Sequence, residues 1–177
     1  DGFVMKRLYD MLNLDIPSAY FEVSRRSLRI PNYDKHMSYE EIIDTLTVPN
    51  MSNIVQIFDS LGLDADKYKN EIIDYGFNRN ELLKRDKLVS NEKFRKLYEF
   101  VKNDIFINAS IERDNLIKYL TTFDFSKKTA IVDIGWGGSM QKYLQKALER
   151  FGISHDIQGY YVGLTLKSRE NLGKNSY

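Results

Sequence analysis

Thr129-Ala130-Ile131-Val132-Asp133-Ile134-Gly135-Trp136-Gly137-Gly138-Ser139 is the stretch that decides the fold. Its first six residues form an apolar run interrupted by one acid near the end, the pattern of a central strand buried on both faces. Three glycines within four residues then make a turn. After Ser139 an amphipathic helix follows through Met140, Tyr143, Leu144, Ala147, Leu148 and Phe151, which Gly152 stops. Ile157 to Leu166 reads as a second strand. Strand, helix and strand over this length make a βαβ unit, whose right-handed crossover leaves the two strands parallel.

Upstream the pattern is mostly helical. Phe3, Val4, Leu8, Tyr9, Met11 and Leu12 repeat at helical spacing. Ala19 to Val23 is short, aromatic and partly alternating, and reads as a strand passing into a short helix capped by Ser24 and interrupted at Pro31. Ser38 and Glu41 stand at capping-box spacing before Ile42, Ile43 and Leu46. A further helix starts near Ser52 and stops at Gly62, and another runs from Asp64 to about Tyr75, before Gly76. Asn91 to Phe123 is helical in period, with a break expected near Asn108. The expected architecture is a single α/β domain over residues 1–177, with a Rossmann-like parallel sheet of few strands and a large all-helical insertion over 38–123. Both ends read as cuts from a longer parent chain, with a strand expected before Asp1-Gly2 and a polar tail from Lys167 to Tyr177.

Composition sets limits on function. The 177 residues carry 26 Lys plus Arg against 25 Asp plus Glu, so no overall field draws the chain to nucleic acid or an anionic membrane. An anion must therefore be gripped locally. The absence of cysteine removes disulfides, thiol catalysis and thiolate metal sites, and suits a reducing compartment; cytoplasmic location is the expectation. No run approaches the roughly 20 apolar residues of a membrane-spanning helix. His36 and His155 lack partners at ligand spacing, which leaves zinc and histidine triads without support. Most of the 12 Tyr and 10 Phe fall at core spacing, as Phe94, Tyr98 and Val101 do.

The glycine turn is the candidate site. Gly135, Gly137 and Gly138 allow backbone donors to approach a phosphate at the start of a helix, and Ser139 adds a hydroxyl. Asp133, at the carboxyl end of its strand, can accept from a ribose hydroxyl, hold Mg²⁺ through oxygen or water, or take a proton. Trp136 either stacks on a base or sugar or closes the core. The plain alternative is a tight turn with Asp133 capping the next helix. The turn lacks the lysine of a P-loop and the spacing of the dinucleotide fingerprint. A parallel strand at Ala19 to Val23 would bring Ser24, Arg25 and Arg26 to the same edge as a charge clamp. Asp1-Gly2 would be a third loop there.

Three segments also resemble a known group of proteins: Asp1-Gly-Phe-Val-Met-Lys-Arg-Leu-Tyr9, Val23-Ser-Arg-Arg-Ser-Leu28 and Val132-Asp-Ile-Gly-Trp-Gly-Gly-Ser-Met-Gln141. They resemble the region that follows the phosphatase-like module in bacterial predicted hydrolases of the haloacid dehalogenase (HAD) superfamily, and similar regions accompany glycosyltransferases of surface-polysaccharide synthesis. The resemblance implies a sugar phosphate or nucleotide sugar as ligand and other domains of a parent chain as partners. The nucleophile motif of that superfamily is absent, since Asp64-Ala-Asp66 continues into Lys67-Tyr68, so its aspartyl-phosphate chemistry is transferred to no residue. A second, weaker likeness is to type I phosphoribosyltransferases, whose loop is about two residues longer and carries a further acid. Three functions fit the sequence: a phosphate-site enzyme (hydrolase or glycosyl or phosphoribosyl transferase), a noncatalytic module docking a neighbouring domain, and a degenerate site that only binds.

Overall fold

The computed structural model describes residues 2–166 and 168–172 and is mixed α/β. In chain order its elements are α1 (Gly2–Met11), α2 (Arg25–Arg29), α3 (Tyr39–Asp44), β1 (Met51–Asn53), α4 (Ile54–Ser60), α5 (Lys69–Asp74) and β2 (Leu82–Lys84). There follow α6 (Glu92–Leu120), β3 (Lys128–Trp136), α7 (Ser139–Arg150), β4 (Asp156–Leu164) and α8 (Ser168–Leu172). Short 3-10 turns follow α2 and β2 and precede α5. Asp1, and the tail from Lys167 apart from α8, lie outside the described residues. The chain divides into two compact units, Arg29–Lys118 and the segments on either side of it.

The Arg29–Lys118 unit is built on apolar periodicity. Phe94, Leu97, Tyr98, Val101, Ile105 and Ala109 recur three or four residues apart on α6 and are buried with Ile30, Ile42, Ile54, Ile57 and Phe58. Each such large side chain contributes about 1.5–3 kcal/mol on burial. The capping box at α3 forms as expected, with the Glu41 amide donating to Ser38 Oγ and the Ser38 amide donating to Glu41 Oε2. Asn53 and Gln56 make a second one at α4. At the stops, the Leu63 amide reaches Phe58 O and the Phe77 amide reaches Ile72 O. The unit is not all-helical, because Met51–Asn53 pairs antiparallel with Leu82–Lys84. Three-residue strands leave no readable alternation in sequence.

The break expected near Asn108 does not occur, and α6 runs unbroken for 29 residues. Asn108 turns its amide outward to donate to Gly62 O at 3.1 Å, so it does not compete for the helix backbone. Arg29 is the most enclosed charge of this unit, 1% exposed. Its two terminal nitrogens donate to Thr45 O, Thr47 Oγ1 and Ser60 O at 2.6–2.9 Å, all neutral acceptors.

In the other unit, β3 and β4 form a two-stranded parallel sheet in register from Lys128↔Asp156 to Trp136↔Leu164. The βαβ reading holds, with α7 as the crossover element. Two expectations fail. Ala19 to Val23 forms no strand: Phe21 is stacked at 5.6 Å on Tyr119 and edge-on to Phe123 and Phe125, and the Glu22 amide donates to Tyr119 Oη at 2.8 Å. Aromatic clamping has replaced ladder pairing there. Nor is β3 buried on both faces. Val132, Tyr160 and Val162 are about half exposed or more.

Candidate functional site

Side chains alternate along a strand, so Asp133 shares one sheet face with Ile131 and, across the ladder, with Gly159 and Tyr161. The helix α7 covers this face through Gln141, which is buried. An added Cβ on Gly159 would lie 1.9 Å from Gln141 Oε1, so the absent side chain is what lets the helix approach. Tyr161 Oη donates to Gln141 Oε1 at 2.5 Å. Burial, and then the neighbouring Asp133 charge, push the Tyr161 phenol up to about 12. Asp133, Gln141 and Tyr161 therefore form a polar group on the sheet face that α7 covers.

The expected turn begins inside the strand. Gly135 has φ +114° and stays in register with Gly163, and a Cβ at Gly135 would fall 2.0 Å from Gly163 O. Trp136 has φ +80°, a conformation that costs a non-glycine residue about 1–3 kcal/mol. Thr165 holds it there: its amide and its hydroxyl both donate to Trp136 O, at 2.8 and 3.0 Å. The indole is 66% exposed. Of the two readings of Trp136, core closure fails.

Gly138, φ +65°, is the N-cap of α7, and no side chain caps the helix there. Asp133 is accordingly not its cap. Ser139 is the first helical residue. A feature absent from the sequence reading covers the turn: α8 places Leu172 against Gly138, within 2.4 Å of where a Cβ would stand. Asn171 Nδ2 donates to Gly137 O at 2.6 Å, while Lys142 Nζ donates to Asn171 Oδ1 at 3.1 Å. Gly137 and Gly138 thus have a packing role as well as any role toward a ligand.

Ser24, Arg25 and Arg26 stand at the start of α2. Ser24 Oγ accepts from the Ser27 amide at 3.1 Å, the local cap expected of it. Their placement beside the glycine turn rested on a strand at Ala19 to Val23, and with that strand absent no ladder carries them there. Gln141, Lys142, Tyr161, Thr165 and Asn171 were missed. Only the β3–β4 register makes Tyr161 a neighbour of Asp133, and that register is not visible in sequence.

Among the described residues no group of three or more His, Cys, Asp or Glu is placed to hold a metal. His36 is exposed, and His155 Nδ1 lies 3.2 Å from Ile153 O. No described helix is long and apolar enough to cross a membrane. The raised Tyr161 value carries a prediction. A phenol whose folded value exceeds its ordinary 10.0 contributes stability that is intact below that value and is lost as pH climbs toward about 12. Tyr39, Tyr68 and Tyr98 are raised in the same way, with burial as the leading cause. Melting temperature should therefore fall across that alkaline window, with tyrosinate absorbance appearing late; ordinary tyrosine titration in the folded protein would contradict this.

Comparison with protein-family models, with curated proteins and with solved structures finds no match to this chain.

Proposed function

We propose that the edge formed by Asp133 to Ser139 on a Rossmann-like domain binds a phosphate-bearing ligand, a sugar phosphate or nucleotide sugar. Trp136 is the observation that carries this reading. A tryptophan held in a costly backbone conformation, with its ring in solvent, lies at the carboxyl edge of parallel strands, where open α/β sheets take ligands. The following helix offers first-turn amide donors with no side-chain cap. Gly137, Gly138 and Ser139 would cradle the phosphate, and Trp136 would stack on the base or sugar. Asp133 is the base if the site is catalytic. It is a single carboxylate, so Mg²⁺ would fit only as an ion shared with the ligand's phosphate oxygens. The resemblance to regions beside HAD-type hydrolases and polysaccharide glycosyltransferases supports the ligand class; phosphoribosyl transfer is the lesser enzymatic alternative.

Because Trp136 is the sole tryptophan, its fluorescence reports on the turn directly. Titration with nucleotide sugars and sugar phosphates should shift or quench the emission saturably. A flat response to the whole set removes Trp136 from the site.

A specific observation favours a second reading, the noncatalytic docking module. Phe100, Ile107 and Ile111 are more than half exposed and lie along one stripe of α6, seven and four residues apart. Replacing Ile107 with lysine should abolish association with a neighbouring domain under that reading and leave ligand titrations of Trp136 unchanged.

A further inference from the structure

We infer that Lys142 supplies the positive charge of the phosphate site proposed for Asp133 to Ser139, a role that rests on that reading, and makes the phosphate rather than the sugar or base the group the site requires. Ser24, Arg25 and Arg26 are carried to the turn by no ladder, so its charge has to be local. Lys142 is the fourth residue of α7, and its amide makes a backbone bond of that helix, to Gly138 O at 3.2 Å. Helical side chains lean toward the N-terminus, which sends this one back over the first turn. There Lys142 Nζ donates to Asn171 Oδ1 at 3.1 Å, and Asn171 Nδ2 donates to Gly137 O at 2.6 Å. One side-chain amide separates the ammonium from the glycine turn.

On its own helix this charge has the wrong sign. The N-terminal end of a helix carries about half a positive charge, which favours acids and disfavours lysine there. No acid occupies the first turn of α7, and no side chain caps the helix at Gly138. Among the described residues Lys142 pairs with no carboxylate: its acceptor is the neutral Asn171 amide, and the side chain is exposed. The amides of Ser139, Met140 and Gln141 precede the first helical acceptor and add donors of the same sign.

A helix dipole, first-turn amides and an ammonium therefore converge on one turn. A phosphate answers all three, because its oxygens accept from the amides and from the two protons that Lys142 retains beyond Asn171. A neutral sugar or base answers none of the charge. Asn171 is the positioning residue, holding the flexible lysine stem beside Gly137 before a ligand arrives.

Titration of the full chain followed by Trp136 emission tests the role, with glucose 1-phosphate and uridine diphosphate glucose as probes and with glucose and uridine as neutral controls. The wild type should respond saturably to at least one of the phosphates and to neither control. Lys142→Met should weaken that phosphate by about tenfold or more, the worth of one hydrogen bond from a charged group, and flatten the dependence of affinity on NaCl. Without ligand it should melt no lower than the wild type, since it removes a charge that the helix end repels. Lys146→Met, one turn further along α7, should keep wild-type affinity. A wild type silent to both phosphates overturns the reading of the turn and this role with it. A wild type that responds, with Lys142→Met matching it in affinity and salt dependence, overturns the role of Lys142 alone. So does an equal loss in Lys146→Met, which would mark a general field instead of a contact, or a neutral control that binds as well as its phosphate.

Discussion

Gly135→Ala should destabilise the β3–β4 unit by more than about 3 kcal/mol, among the larger effects of a single substitution. Two penalties act together. The residue sits at φ +114°, where a side chain is strained whatever space surrounds it, and the new Cβ would fall 2.0 Å from Gly163 O. The obstacle is backbone in the paired strand, so it cannot rotate away, and relief requires the ladder to part near Gly135↔Gly163. Trp136 is adjacent and is the sole tryptophan, so denaturation followed by its emission reads the loss locally. A midpoint near that of the wild type would show that the strand does not take this path through Gly135.

Arg29→Ala should cost the Arg29–Lys118 unit about 2–4 kcal/mol, the combined effect of lost hydrogen bonds from a charged donor and of the space its side chain leaves. The guanidinium is 1% exposed and joins the end of α3, the Thr47 segment and the end of α4 through Thr45 O, Thr47 Oγ1 and Ser60 O. Truncation leaves the buried Ser60 carbonyl and the half-buried Thr45 carbonyl without this donor and opens a cavity. Arg29→Lys should recover only part of the loss, because an ammonium on a flexible stem cannot span acceptors on three segments as a planar fork does. Chemical denaturation followed by helical circular dichroism measures both variants. A loss below about 1 kcal/mol for Arg29→Ala would mean that solvent reaches the acceptors readily.

What could be read in the sequence was what local chemistry determines. Ser38 with Glu41, Asp64 and Ser24 are caps because a side-chain oxygen near a helix start has few other uses, and each behaves so. The β3–α7–β4 unit was legible because its period changes sharply at Lys127-Lys128 and again at the glycines. What failed depended on distant partners. Ala19 to Val23 has strand composition, yet Phe21 finds three aromatic rings and leaves the backbone without a ladder. Met51–Asn53 pairs across about 30 residues with Leu82–Lys84, a contact no local pattern announces. At the site, Asp133 and the glycines were visible, whereas Tyr161, Gln141 and the α8 residues over the turn become neighbours only through register and packing.

The measurement closest to the proposed function is thermal denaturation of the protein with phosphate, sugar phosphates, nucleotide sugars and phosphoribosyl diphosphate, with and without Mg²⁺. Wild type, Asp133→Asn and Ser139→Ala would be compared side by side. A ligand that binds only the folded state raises the melting temperature in proportion to its affinity. The account predicts a rise with at least one sugar-linked phosphate, reduced in Asp133→Asn and in Ser139→Ala, with both variants melting like the wild type when no ligand is present. No rise with any phosphate ligand, or a rise that both variants retain in full, would contradict it.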